Sequence, residues 1–130
     1  MTKIDLTDSL EKIPVKIFPD SGSGSAFVAK EIAALIKEKE AEGKKPVIGL
    51  ATGSSPKTLY AELVRMHKEE GLSVKNVITF NLDQYYPMNK DALQSYHYFM
   101  RKNLFEQTDI DPNNYHLPEG MIRKDKVKEH

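Results

Sequence analysis

Apolar positions along the chain change their period block by block, and each change marks an element. Residues 1–12 are polar and aperiodic and read as a loose arm. Ile13–Phe18 (IPVKIF) gathers β-branched residues behind a proline and reads as a short strand. The run from Pro19 to Ser25 (PDSGSGS) breaks it and reads as a turn that caps the next helix. Val28, Ile32, Leu35 and Ile36 then recur at i, i+4, i+7 and i+8, which predicts one apolar stripe of a helix ending near Gly43. Its opposite face, with Lys30, Glu31, Lys37, Glu38 and Glu40, reads as solvated.

The central block runs from Pro46 to Glu70. Val47 to Ala51 reads as a buried strand, Thr52-Gly53-Ser54-Ser55 as a small-residue turn, and Pro56 as the entry to a helix, where its missing N–H would have no partner. Ser54 or Ser55 is the expected N-cap, and Gly53 opens conformations that a side chain forbids. Leu59, Leu63 and Met66 share one face of that helix, with Tyr60 and Val64 beside it. Such a stripe is core packing rather than a cofactor contact, and His67 falls on the solvated side. Gly71 closes the helix. Asn76 to Asp83 (NVITFNLD) reads as a second buried strand, so the pair with its intervening helix makes a parallel βαβ unit.

Tyr85 to Lys90 is a loop, and a helix runs from Ala92 or Leu93 to Phe105 with Tyr96, Met100 and Leu104 on one side. A turn at 109–114 precedes a short extended Tyr115-His116-Leu117, and residues 121–130 form a charged tail. No repeat is visible. The order β-α-β-α-β-α-β predicts an open, mainly parallel α/β sheet with flanking helices, Rossmann-like, over residues 13–120.

Ligands of such sheets bind outside the carboxyl ends of the strands. That rule brings the Thr52–Ser55 turn and Asn81-Leu82-Asp83-Gln84 to one edge. A small polar turn feeding a helix N-terminus presents N–H groups and the positive end of a dipole, which suits phosphate. Asp83 beside it reads either as a turn residue or as a base acting on a phosphorylated metabolite, and periodicity alone favours the turn residue. The Walker pattern fails here, because Pro56 precedes Lys57-Thr58 and Ala51 stands at the earlier glycine position. Gly49 and Gly53 also have the wrong spacing for a dinucleotide fingerprint.

Composition narrows the chemistry further. There are no cysteines, which removes thiol catalysis, disulfides and thiolate metal sites. Nineteen basic and nineteen acidic residues balance to a formal net charge of +0, which gives no electrostatic support to nucleic-acid or membrane partners. The N-terminus lacks the apolar core of a secretion signal, and no apolar run approaches the length of a bilayer span. The expectation is a soluble cytoplasmic protein. Its 130 residues make one domain or a piece of a larger one.

Gly49-Leu50-Ala51-Thr52-Gly53-Ser54-Ser55-Pro56, Tyr60, the run from Val77 to Tyr85 (VITFNLDQY) and the run from Gln94 to Met100 (QSYHYFM) together resemble glucosamine-6-phosphate deaminase. Asp109-Ile110-Asp111-Pro112-Asn113-Asn114 stands where that family has an Asp-Ile-Pro-x-Glu-Asn turn. The match runs from about Ile13 to Gly120. The superfamily also holds 6-phosphogluconolactonases, but the T-F-N-L-D-x-Y run looks like the deaminase branch. The resemblance implies a cofactor-free, metal-free conversion of glucosamine 6-phosphate to fructose 6-phosphate and ammonia. It assigns Asp83 as the base and Thr52, Gly53, Ser54 and Ser55 as the phosphate turn, with Gln84 and Tyr85 beside the site.

Two departures stand out. Gln84 replaces the family's usual Glu and removes a negative charge beside Asp83. The family's ring-opening His and the rest of its phosphate clamp belong to a second half, and no motif maps them onto His97, His116 or His130; His97 reads as packing. The chain is therefore expected to be an N-terminal half, with weak sugar-phosphate binding and incomplete turnover. The alternatives are a non-catalytic sugar-phosphate-binding fragment and a lactonase-type hydrolase. An exposed edge strand in half of a sheet further predicts a homo-oligomer.

Overall fold

A computed structural model describes residues 12–130, and the expected arm lies outside them but for Lys12. Helix α1 (Ser21–Ala41), strand β1 (Val47–Leu50), helix α2 (Lys57–Glu70), strand β2 (Ile78–Asn81), helix α3 (Tyr96–Asn103) and strand β3 (Tyr115–His116) follow in order. Short 3₁₀ turns lie at Phe105–Gln107 and Lys124–Glu129. The sheet order is β1-β2-β3 and both pairings are parallel. Val47 pairs with Ile78 and Leu50 with Asn81; Thr79 pairs with Tyr115 and Phe80 with His116. The expected parallel βαβ unit is therefore present. No helix among the described residues is long and apolar enough to cross a membrane.

Inward and outward positions alternate along each strand, as the pleat requires. Leu50, Thr79 and Asn81 are buried, whereas Val47 is 60% and Phe80 50% exposed. The inward face packs on Ile36 of α1, Leu63 of α2 and Leu104 just beyond α3. The helices thus cover one face, and the side bearing Val47, Gly49, Phe80 and His116 is open. Parallel sheets are ordinarily covered on both faces.

Ile13–Phe18 does not form the expected strand. Ile13 and Ile17 are 74% and 88% exposed. Strand propensity needs a neighbouring ladder to satisfy the backbone, and the sheet of the described residues gives this segment none. Phe18 packs instead on Phe27 of α1, ring centroids 5.3 Å apart.

The Gly-Ser run is likewise not a turn but the first turns of α1. Asp20 caps that helix, its carboxylate accepting the Ser23 N–H at 2.7 Å, so the helix is satisfied several residues earlier than expected. The buried stripe of α1 is Ala29, Ala33 and Ile36, while Val28 and Leu35 are exposed. The alanines let α1 approach α2 closely, so of the expected stripe Ile36 and, in part, Ile32 stay with the core while Val28 and Leu35 turn outward. Lys30, Glu31, Lys37, Glu38 and Glu40 are exposed as expected.

Helix α3 begins at Tyr96, later than expected, because residues 91–95 form turns: the Asn89 side chain accepts the Asp91 N–H at 2.9 Å, and the Ser95 N–H reaches the Ala92 carbonyl at 3.0 Å. Gly71 ends α2 in the left-handed region (φ +73°), which folds the chain back so that the Leu72 N–H meets the Met66 carbonyl.

Candidate functional site

Because Leu50 and Asn81 are register partners in parallel strands, the segments that follow them leave from the same sheet edge. After β1 the chain passes through Ala51-Thr52-Gly53-Ser54-Ser55 into α2. Gly53 sits at φ +115°, which L side chains rarely adopt, so its glycine is required by the backbone. The expected serine cap is not made. Pro56 is already helical and serves as the N-cap with no side-chain bond, leaving Ser54 and Ser55 exposed on the turn. The N–H groups of Thr52, Gly53, Ser54 and Ser55 make no backbone hydrogen bond among the described residues. This is the arrangement an anion needs at a helix entrance.

The turn is held from below. Tyr60, one turn into α2 and only 1% exposed, donates its hydroxyl to the Ala51 carbonyl. Burial pushes this hydroxyl up to about 12. Its ring meets Phe99 of α3 edge-on, centroids 6.5 Å apart. The stripe with Leu63 and Met66 is core, as its pattern indicated.

After β2, Asp83 is exposed on the same edge. Gln84 beside it turns inward. Its Oε1 accepts the N–H groups of Tyr85 and Tyr96, each at 3.0 Å, while its Nε2 is buried without a partner. Tyr85 lies against Tyr96, ring centroids 4.8 Å apart. The Tyr96 hydroxyl, burial and the Asp83 carboxylate together hold the Tyr85 hydroxyl above its ordinary value. Fully buried Ser95 caps α3, accepting the Tyr98 N–H at 3.0 Å and donating to the Lys90 carbonyl at 2.6 Å.

The 85–90 loop is pinned against residues 120–122. The Met88 N–H meets the Gly120 carbonyl at 2.7 Å, and the Tyr86 hydroxyl donates to the Ile122 carbonyl at 2.8 Å. An open cleft of about 590 Å³ lies between Gly53, Tyr85, Met88, Leu93, Tyr96 and Phe99, so the turn and the Asp83 loop converge on α3. A second open cleft, about 470 Å³, places Ser21 and Ser25 of α1 opposite Ser55.

Several functional-looking residues escape pattern reading. Thr79 Oγ1 and both amide atoms of Asn81 are buried and unpartnered on the inward face of β2; the available signal is polar residues at inward strand positions. His67 is only partly solvated: its Nδ1 lies 2.6 Å from the Leu72 carbonyl and 3.7 Å from Asp109, because the Gly71 turn brings the chain back over it. His97 donates to the Pro118 carbonyl at 3.2 Å, and His116 stacks on Phe80 at 4.8 Å. Among the described residues no group of three or more His, Asp or Glu side chains is placed to hold a metal ion.

No family model matches the chain. Individual proteins do. It is 48% identical over 106 residues to a glucosamine-6-phosphate deaminase of Treponema denticola, covering 81% of this chain and 39% of that protein. A glucosamine-6-phosphate deaminase-like protein of Bacteroides thetaiotaomicron is 45% identical over 121 residues, covering 93% of this chain and 18% of the relative. Among solved structures, a monomeric glucosamine-6-phosphate deaminase superposes with a TM-score of 0.81 at 33% identity, covering 90% of this chain and 46% of that one. A 6-phosphogluconolactonase of Thermotoga maritima superposes at 0.69 with 20% identity over 88% of this chain and 49% of that one, a likeness of fold alone. The chain thus spans less than half of each of these proteins.

Proposed function

We propose that this chain, which belongs by homology with the N-terminal half of the glucosamine-6-phosphate deaminases, binds an amino-sugar phosphate at the Thr52–Ser55 turn and presents Asp83 to its C1–C2 bond. The observation that carries the reading is the register of β1 and β2. Leu50 opposite Asn81 brings an anion-binding turn and a carboxylate to one edge.

In the full reaction the Asp83 carboxylate removes the C2 proton of the open-chain sugar. The electron pair forms a C1–C2 double bond as the C1 carbonyl oxygen is protonated. The proton returns to C1, leaving an imine at C2. Water adds there and ammonia departs, giving fructose 6-phosphate. No redox cofactor is needed, since nothing is oxidised or reduced overall. Proton transfer at carbon benefits from a closed site that excludes water. Asp83 is exposed, so the described residues bind and position the sugar phosphate, and efficient turnover requires a cover over this edge. The lactonase alternative rests on fold likeness alone.

The test is calorimetric titration of the chain with glucosamine 6-phosphate, beside an ammonia-release assay. Binding abolished by Gly53→Val, and any ammonia release abolished by Asp83→Asn, is the expected result. No binding by the unaltered chain would sink the reading.

The open sheet face with Val47 and Phe80 supports self-association of this chain. A concentration-independent monomer in light scattering would end that part of the proposal. A cytoplasmic location fits a charged phosphate ester, which does not cross a bilayer unaided.

A further inference from the structure

We infer that Tyr60 is the positioning residue of the phosphate turn, its hydroxyl aiming the turn's N–H groups by holding the Ala51 carbonyl. The inference rests on the reading that Thr52–Ser55 binds phosphate. Without an anchor this turn is loose. The β1–β2 ladder bonds end with the Leu82 N–H on the Leu50 carbonyl, and the bonds of α2 begin with the Tyr60 N–H on the Pro56 carbonyl. Between these points neither serine caps the helix, and glycine leaves a positive φ as readily as it adopts one. The Tyr60 hydroxyl on the Ala51 carbonyl ties the turn in between.

The geometry of a peptide gives that bond its consequence. The Ala51–Thr52 unit is planar and trans, so its C=O and N–H point in opposite directions. With the carbonyl drawn inward to a tyrosine that is 1% exposed, the Thr52 N–H is directed away from the interior. The N–H groups that follow are set by the dihedrals from Thr52 onward, with Gly53 at φ +115°, and a fixed Ala51–Thr52 plane fixes the frame from which those dihedrals start. A phenylalanine would fill the same space and keep the edge-on contact with Phe99, so packing alone does not call for the hydroxyl. Because burial keeps the proton on the oxygen up to about pH 12, the anchor holds at any physiological pH.

The experiment compares the unaltered chain, Tyr60→Phe and Leu63→Val. Inorganic phosphate and glucosamine 6-phosphate are titrated into each by calorimetry, with melting temperature and near-ultraviolet circular dichroism recorded in parallel. Tyr60→Phe is expected to stay folded and to bind both ligands about tenfold more weakly, corresponding to roughly 1.4 kcal/mol. Leu63→Val, a core truncation in the same helix, is expected to melt earlier with unchanged affinity. If the unaltered chain binds neither ligand, the phosphate reading falls and this inference with it. Equal affinity in Tyr60→Phe overturns the inference alone. An equal weakening in Leu63→Val overturns it too, since affinity would then follow general stability. An unfolded Tyr60→Phe also overturns it, because the hydroxyl would then be a condition of the fold.

Discussion

Gln84 accepts the backbone N–H of Tyr96 through its side-chain oxygen at 3.0 Å, across twelve residues of sequence. Tyr96 opens α3, and its N–H is one of those that a helix leaves without an internal partner. The same oxygen takes the Tyr85 N–H, so one amide fastens the loop behind Asp83 to the start of α3. A glutamate offers the same acceptor, which explains how Gln can stand where the resembling family has Glu without loss of this clamp.

Removing the clamp should loosen α3 first. Gln84→Ala is expected to cost about 1–2 kcal/mol and to speed amide hydrogen exchange at Tyr96. Gln84→Glu should keep Tyr96 protected. Unchanged exchange in the alanine variant would remove Gln84 from the support of the site.

Ser95 offers a sharper test of the same helix. Its hydroxyl accepts from Tyr98 and donates to Lys90 while fully buried. Ser95→Ala loses the cap and strands a carbonyl, so a loss of about 2 kcal/mol is expected in urea denaturation. Ser95→Thr, which keeps the hydroxyl, should recover part of it unless its added methyl is too large for the site.

Gly120 holds the loop by a backbone hydrogen bond to Met88 and by close approach. A Cβ there would lie 2.2 Å from the Met88 carbonyl oxygen, so backbone must move. Gly120→Ala is expected to destabilise the chain by about 1–3 kcal/mol and to change the environment of Tyr85 and Tyr86, visible in near-ultraviolet circular dichroism. An unchanged spectrum and melting curve would show that the approach is looser than the structure describes.

Alkaline titration should report on Tyr60. Burial pushes its hydroxyl up to about 12, above the ordinary tyrosine value of 10.0, so the protonated form is the one favoured in the fold. Its contribution to stability is therefore fully present below pH 10 and lost as pH rises from 10 towards 12. Absorbance at the phenolate band should show Tyr60 and Tyr85 titrating late, and Tyr60→Phe should remove one of these late steps. An unchanged late titration in this variant would show that Tyr60 is not among the late groups.

The β1–α2–β2 unit was legible because its signals are local: an apolar run, small turn residues, a Pro at the helix entrance, and a stripe ending in Leu63 and Met66. Asp83 and the Thr52–Ser55 turn could be brought to one edge from sequence because parallel strands leave no other choice. Tertiary structure decided the rest. Ile13–Phe18 has the composition of a strand, but a strand exists only where a neighbour completes its ladder. Val28, Ile32, Leu35 and Ile36 form the obvious stripe of α1, yet only Ile36 and part of Ile32 stay with the core, since Ala29 and Ala33 take the closest approach and turn Val28 and Leu35 outward. The roles of Tyr60, Gln84 and Ser95 stayed hidden for a similar reason. Each depends on a carbonyl or N–H several residues away, and only folding sets that distance.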